Sequence, residues 1–96
     1  MIHGEEYVWE DYQFRFFLTP GHTSGSICIL LDDRFLFTGD SLVNGYKTIT
    51  RFPTGSQEEY KRVTIPFLES QPENREIFPG HGTPDILSNI IHYIYL

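Results

Sequence analysis

The chain has 96 residues, of which 40% are hydrophobic and 21% are charged, a composition typical of one small globular domain. Its formal net charge of −6, with no run of Lys and Arg, argues against a nucleic-acid backbone or an anionic membrane surface as a partner. The apolar stretches are also much too short to span a bilayer.

Cys28 is the only cysteine, and it lies in an apolar run of residues 27–31. No intramolecular disulfide can form, which is typical of proteins from a reducing compartment and predicts a cytoplasmic location. The first dozen residues are acidic and aromatic and lack the pattern of a secretory signal peptide. We expect Cys28 to be a small buried hydrophobe rather than a nucleophile.

The N-terminal part of the chain has the patterns of β-strands. Residues 5–18 predict two strands joined by a turn at residues 10–11, because apolar and polar side chains alternate in the second of them. Residues 26–31 form a continuous apolar run, which predicts an interior strand buried on both faces. Residues 35–38 predict a further strand.

The second half of the chain predicts a loop, two helices and a strand. Residues 41–56 are rich in turn residues and indicate a long loop. Residues 57–70 have apolar residues at helical spacing and predict an amphipathic helix, which Pro66 should kink or end early. Residues 76–78 predict a short strand. Residues 84–96 predict a closing helix with a threonine cap and a proline at its first position.

One construction occurs three times: an apolar strand ends, a glycine follows, and a residue able to bind metal comes next. The three residues are His22, Asp40 and His81. Glycine permits the sharp turn, and the strands should hold the three side chains at one rim of the sheet. Two imidazoles and a carboxylate suit Zn²⁺ or a similar divalent ion. Any one of these turns is often only structural, so the metal-site hypothesis rests on the three together.

The order of these motifs resembles the later part of the metallo-β-lactamase superfamily, most closely its glyoxalase II-like hydrolases. The matching stretches are Thr-Pro-Gly-His-Thr-Ser-Gly-Ser at 19–26, Phe-Thr-Gly-Asp-Ser-Leu at 37–42 and Phe-Pro-Gly-His-Gly at 78–82. The loop at 50–56, Thr-Arg-Phe-Pro-Thr-Gly-Ser, is similar to the loop that precedes a helix in those proteins.

This resemblance implies an α+β fold class and a single partial domain over residues 1–96. The chain would be the C-terminal half of the αββα sandwich, a mainly antiparallel sheet with helices on one face. The N-terminal half of that sandwich would be absent from this sequence.

The resemblance also implies a metal-dependent hydrolase, in which a metal-bound hydroxide attacks the substrate, such as a hydroxyacylglutathione-like thiolester. His22 would bind the first metal ion and His81 the second, and Asp40 would bridge both. The complete domain would hold two Zn²⁺ ions, which iron or manganese could replace. Lys47 and Arg51 are candidates to bind an anionic group of the substrate. The competing interpretation is that both are solvated surface cations.

The sequence departs from the family pattern in two places. The first family motif, His-x-His-x-Asp-His, is absent, and it would supply the remaining ligands of both ions. In the loop, the family's Arg-x-Asp becomes Arg51-Phe52-Pro53, so the acidic residue is missing. We therefore expect this half alone to bind metal weakly or not at all and to be inactive.

Three origins of such a half are open: a proteolytic fragment, a truncated gene product, or a subunit completed by another chain. The expected partners are the missing N-terminal half or a second copy of the chain, with a small-molecule substrate when the site is complete. The alternative function is a non-catalytic remnant that acts as a dimerisation or interaction module.

Overall fold

The computed structural model describes residues 5–95, which form one six-stranded sheet and two helical segments. The strands are β1 (Glu5–Trp9), β2 (Tyr12–Leu18), β3 (Ile27–Leu31), β4 (Phe35–Gly39), β5 (Glu76–Pro79) and β6 (Asp85–Ile86). They lie in the sheet in chain order, and every neighbouring pair is antiparallel except β4 and β5. The predicted α+β class with a mainly antiparallel sheet is confirmed.

The parallel pair is joined by helix α1, as parallel strands require a crossover. This helix has three consecutive parts: Gln57–Glu59, a π-helical turn at Tyr60–Thr64, and Ile65–Glu69. Helix α2 comprises Leu87–Ile90 and continues as a 3₁₀ turn at Ile91–Tyr95. No helix within residues 5–95 is long and apolar enough to cross a lipid bilayer.

The prediction that residues 26–31 are buried on both faces is wrong. In β3, Cys28 and Leu30 are buried, whereas Ile27 is 44% exposed. The physical reason is that both helices pack on the same side of the sheet, so alternate side chains of this apolar run lack a cover among the described residues.

Pro66 does not end helix α1, which continues to Glu69. Because proline has no N–H to donate to the preceding turn, the regular hydrogen-bond ladder must change near it. The change is the π-helical turn, in which the N–H of Ile65 donates to the carbonyl oxygen of Tyr60. The expected N-terminal cap is present, since Ser56 Oγ accepts a hydrogen bond from the N–H of Glu59 at 3.1 Å.

The closing helix begins later than the sequence predicts, at Leu87. Asp85 and Ile86 instead pair with β5 and form β6, because β5 would otherwise be an edge strand with free hydrogen-bonding groups. The Asp85 side chain accepts hydrogen bonds from the N–H of Ile86 at 2.7 Å and from Nδ2 of Asn89 at 2.9 Å. Residue 96, the last of the predicted helix, lies outside the described residues.

The hydrophobic core lies between one face of the sheet and the two helices. We call this side of the sheet the inner face. The buried core residues are Phe17, Cys28, Leu30, Leu36, Leu42, Tyr60, Phe67, Leu68, Ile77, Leu87, Ile90 and Ile94. Cys28 is fully buried, as expected from its apolar surroundings, and burial raises the pKa of its thiol to about 11.

The opposite side of the sheet, which we call the outer face, is also apolar. The strand register places one row of large side chains across four strands, namely Phe16, Ile29, Phe37 and Phe78. The Phe37 and Phe78 rings stack with their centroids 5.2 Å apart. No helix within residues 5–95 covers this row, and Phe37 is 39% exposed. The apolar residues of the outer face are Tyr7, Trp9, Tyr12, Phe14, Phe16, Leu18, Ile27, Ile29, Leu31, Phe35, Phe37 and Phe78, and the register also places Glu5 and Glu76 on this face.

Candidate metal centre

The three candidate ligands follow strands that end at the same edge of the sheet. Strand β3 is antiparallel to both β2 and β4, and β5 is parallel to β4, so β2, β4 and β5 all run in one direction. His22 follows β2, Asp40 follows β4 and His81 follows β5. The repeated strand–glycine–ligand pattern therefore brings the three side chains together.

The Asp40 carboxylate lies between the two imidazoles. Nε2 of His22 is 3.3 Å from Oδ2 of Asp40, and Nε2 of His81 is 3.1 Å from Oδ1. Each histidine thus faces a different oxygen of one carboxylate. Two imidazoles and a carboxylate are donors that suit Zn²⁺, so His22, Asp40 and His81 are the residues that would hold metal at this edge, with Asp40 shared as the family resemblance implies.

Each ion would obtain only two side-chain ligands from this part of the chain. Within residues 5–95, no three His, Cys, Asp or Glu side chains are grouped so that they could hold a single ion. A catalytic zinc ion usually has three protein ligands and a water molecule.

His22 is held more firmly than His81. Its Nδ1 lies 2.7 Å from the carbonyl oxygen of Ile49. Because a carbonyl oxygen can only accept, Nδ1 carries the proton in this contact. Nε2 is therefore the ring nitrogen that faces Asp40. The Phe52 ring meets the imidazole edge-on, with centroids 5.4 Å apart. The His22 side chain is 18% exposed, whereas that of His81 is 67% exposed.

Gly80 allows the β5 turn to lie directly against the end of β4. Its N–H donates to the carbonyl oxygen of Gly39 at 2.8 Å. A Cβ at position 80 would lie 2.9 Å from the same oxygen and 3.2 Å from Oδ1 of Asp40. Any side chain at this position would therefore push the two loops apart and separate His81 from its carboxylate partner.

A buried set of hydroxyl groups, which the sequence did not predict, lies beneath the loops that carry His22 and Asp40. The Thr19 and Ser41 hydroxyls are 3.0 Å apart, and Thr38 Oγ1 donates to the carbonyl oxygen of Leu42 at 2.7 Å. All three side chains are buried. Their position beside the glycine–ligand motifs was the available sequence signal, but their hydrogen-bond partners lie up to 22 residues away.

A cleft of about 500 Å³ opens beside the three ligands. It is lined by His22, Asp40, Val43, Tyr46, Lys47, Thr48, Ile49, Phe52 and His81. Mostly apolar walls with a few convergent polar groups are typical of small-molecule sites. The structure therefore brings Lys47 beside the three ligands. Arg51 is not part of this wall and lies with Lys47 in a smaller neighbouring pocket.

Comparison with known proteins identifies a family that matches this chain. The model of the metallo-beta-lactamase superfamily matches residues 1–81. The chain is 33% identical over 79 residues to a probable polyketide biosynthesis zinc-dependent hydrolase, BaeB, of Bacillus velezensis, covering 82% of this chain and 35% of that protein. It is 41% identical over 63 residues to a hydroxyacylglutathione hydrolase of Shewanella halifaxensis, covering 65% of this chain and 22% of that protein.

The fold comparison agrees with the sequence comparison. A metallo-beta-lactamase crystal structure from Staphylococcus aureus superposes with a TM-score of 0.80 at 24% identity, covering 97% of this chain and 33% of that chain. This chain thus spans about a third or less of the length of these relatives. Since the family model matches most of its residues, the chain belongs to the metallo-β-lactamase superfamily.

Proposed function

We propose that this chain supplies one half of a two-metal hydrolytic centre, which a second polypeptide segment completes. The shared Asp40 carboxylate, with one imidazole at each oxygen, carries the proposal. The proposed reaction is hydrolysis of a thiolester of the hydroxyacylglutathione class. The similarity to the Shewanella enzyme of that name supports this choice of substrate.

The residues of the chain would have separate roles in this reaction. Zn²⁺ held at this edge would lower the pKa of a bound water and stabilise negative charge on the attacked carbonyl. Asp40 would fix the spacing of the two ions, and the Ile49 carbonyl would keep His22 in the tautomer that offers Nε2. Lys47 would attract an anionic group of the substrate into the cleft.

The second segment must provide both ligands and a cover for the sheet. Two side chains per ion are fewer than a catalytic zinc site normally has. The outer face is a contiguous apolar surface, and such surfaces are usually covered by a partner. We propose that an N-terminal half of the sandwich is the partner that meets both needs.

The bare outer face also favours a second candidate function, a non-catalytic module that associates through this surface. In that case His22, Asp40 and His81 would be retained without forming a working site. The two candidates differ in whether Asp40 contributes to metal binding and whether the completed assembly hydrolyses a thiolester.

Zinc binding by the isolated chain is the first test. After dialysis we expect less than one equivalent of zinc, and on calorimetric titration we expect weak binding that Asp40→Ala abolishes. Asp11→Ala, which removes an exposed carboxylate from the β1–β2 turn, is the matched control and should leave the binding unchanged. Stoichiometric zinc retained by a monomer of this chain would contradict the proposal that the site is incomplete.

Complementation is the test of the reaction itself. The chain is mixed with the N-terminal part of the Shewanella relative, which is refolded in the presence of Zn²⁺, and hydrolysis of a hydroxyacylglutathione is followed. We expect activity only when both pieces are present, and its loss with Asp40→Ala but not with Asp11→Ala. An assembled complex that binds zinc and leaves the thiolester intact would favour the interaction module.

A further inference from the structure

We infer that Tyr60 is a positioning residue for the metal ligands: one buried hydroxyl on helix α1 fixes the loops that carry Asp40 and His22. The inference rests on the proposed function, because it takes these two side chains to be metal ligands. The hydrogen bonds of Tyr60 go to Ser41 and Thr48 and not to either ligand, so it would act through the backbone that holds them.

The hydroxyl of Tyr60 reaches the peptide between Ser41 and Leu42, one residue beyond Asp40. It donates to the carbonyl oxygen of Ser41 at 2.7 Å, and Thr48 Oγ1 donates to the same oxygen at 3.0 Å. Tyr60 is only 4% exposed, so neither bond is in competition with bulk water. A carbonyl that accepts two buried hydroxyls is fixed in direction, and the adjoining Asp40 is fixed with it.

The same hydroxyl is connected to His22 through a later part of the loop that follows β4. It lies 3.2 Å from Thr48 Oγ1. The residue after Thr48 is Ile49, whose carbonyl oxygen accepts the hydrogen bond from Nδ1 of His22. Tyr60 therefore stands between the two backbone groups that orient the Asp40 carboxylate and the His22 ring. Partners of this kind, one step removed from the metal, tune affinity through the ligands they hold.

The ring of Tyr60 supports the loop on its other side. It packs directly under Gly21, the residue before His22, where an added Cβ would lie 2.6 Å from Cδ1 of Tyr60. Gly21 has φ of 137°, a conformation that side-chain-bearing residues rarely adopt. The glycine of the first motif is thus required by Tyr60 as well as by the turn.

The π-helical turn explains how one helix reaches both loops. Tyr60 is the first residue of this turn and Thr64 the last. Thr64 Oγ1 donates to the carbonyl oxygen of Pro20 at 2.6 Å, so both hydroxyls of the turn bond to ligand loops. Single π turns within α-helices are frequent at functional sites. The hydroxyls of this turn do not hydrogen-bond to the loop of His81, whose carbonyl oxygen accepts from the N–H of Asn44 at 3.1 Å.

Tyr60→Phe tests the inference because it removes the hydroxyl and keeps the ring against Gly21. The ring nitrogens of His22 and His81 are followed by NMR in the ¹⁵N-labelled 96-residue chain during titration with Zn²⁺. We expect zinc affinity at His22 to fall about ten-fold. The affinity at His81 should fall less, because Tyr60 is connected to that ion only through the shared Asp40. Before zinc is added, we expect the single His22 tautomer to become a mixture.

Two control variants distinguish a positioning role of the Tyr60 hydroxyl from a general loss of protein stability. Tyr95→Phe also removes a tyrosine hydroxyl that donates a hydrogen bond, in this case to Glu69 at the surface, and it should change neither readout. Ile90→Val destabilises the core without touching the ligand loops, and it should leave zinc affinity at His22 unchanged. If Ile90→Val weakens zinc binding as much as Tyr60→Phe does, the inference is overturned.

The remaining outcomes distinguish this inference from the proposed function. An unchanged His22 tautomer and unchanged zinc affinity in Tyr60→Phe would overturn the positioning role. If zinc shifts neither histidine of the unaltered chain, the incomplete site does not hold the ion by itself, and the tautomer readout alone then decides the role of Tyr60. The metal-centre proposal fails if the assembly completed by the second segment also binds no zinc. Should Tyr60→Phe not fold, Thr48→Val removes the next hydroxyl of the same connection, and it is expected to disorder the His22 tautomer in the same way.

Discussion

The two faces of the sheet carry side chains of similar apolar character, yet within residues 5–95 helices cover only one face. On the inner face, Leu30 and Leu36 are buried beneath the helices. Their strand neighbours on the outer face, Ile29 and Phe37, keep part of their surface in water within the structure described. A sheet with apolar residues at successive positions is suited to burial on both sides. The helices of the chain therefore cover the inner face, and the apolar outer face is suited to being covered by a second segment.

The sheet edge that carries His22, Asp40 and His81 lies between the two faces. Its loops are held by hydrogen bonds from the helix on the inner face. Tyr60 and Thr64 reach the ligand loops from helix α1, which packs on the inner face. The cleft, in contrast, is open beside His81, whose side chain is largely exposed. The better-held ligand is thus the one that the chain's own helix supports, and the exposed ligand is the one we expect a second segment to fix.

Truncation of a core residue on the inner face should give the largest effect. Leu36→Ala removes a fully buried side chain, and we expect the free energy of unfolding to fall by about 2–5 kcal/mol. Phe37→Ala, at the next position on the outer face, should cost less, because Phe37 already contacts water. Urea unfolding of both variants at low protein concentration measures the difference. Equal losses would show that the two faces are equally packed.

Association of the chain should depend on the outer face alone. We expect light scattering to show dimers or larger assemblies at micromolar concentration, because burial of one Phe side chain is worth about 1.5–3 kcal/mol. Phe37→Lys should raise the dissociation constant at least ten-fold, since ten-fold corresponds to about 1.4 kcal/mol.

Ser24→Lys is the matched control for that prediction, because it adds the same charge at an exposed loop position away from the outer face. It should leave the assembly size unchanged. A monomer at micromolar concentration that unfolds cooperatively without any substitution would show that the outer face needs no partner.

The sequence predicted the features that are local in the chain. Each strand end, its glycine and its ligand are adjacent residues, so the positions of His22, Asp40 and His81 at the sheet edge followed from turn chemistry and strand order. Burial of Cys28 followed from its apolar run. The prediction that the helices lie on one face of the sheet came only from the family resemblance. An apolar strand does not by itself show which of its faces a helix will cover.

The features that the sequence did not predict depend on contacts between distant residues. The π-helical turn places the Thr64 hydroxyl on the carbonyl of Pro20, 44 positions earlier. Nothing near Tyr60 distinguishes it from an ordinary apolar helix position. Strand β6 likewise forms only because the edge of β5 is available to Asp85 and Ile86, which locally resemble the start of a helix.

The smallest predicted effect concerns the Cys28 thiol of the inner face. Burial raises its pKa from 9.0 to about 11, and the Thr19 hydroxyl opposes the shift only in part. Since the folded pKa lies above the unfolded value, the folded state is favoured by the neutral thiol. The contribution of the Cys28 thiol to the free energy of unfolding is therefore fully present below about pH 9 and is lost as the pH rises towards 11.

Urea unfolding between about pH 8 and 10 measures this loss, which should reach about 1.4 kcal/mol for one pH unit above the unfolded pKa. Above that range ionisation of Tyr60 begins to contribute, because burial raises its pKa to about 12. Cys28→Ala should remove most of the pH dependence. Adding Ile29→Cys to that variant moves the thiol to the outer face of the same strand, where less burial should leave its pKa near the ordinary value and the stability nearly independent of pH. An equal loss of stability in both variants and the unaltered chain would mean that the thiol environment does not differ between the two faces.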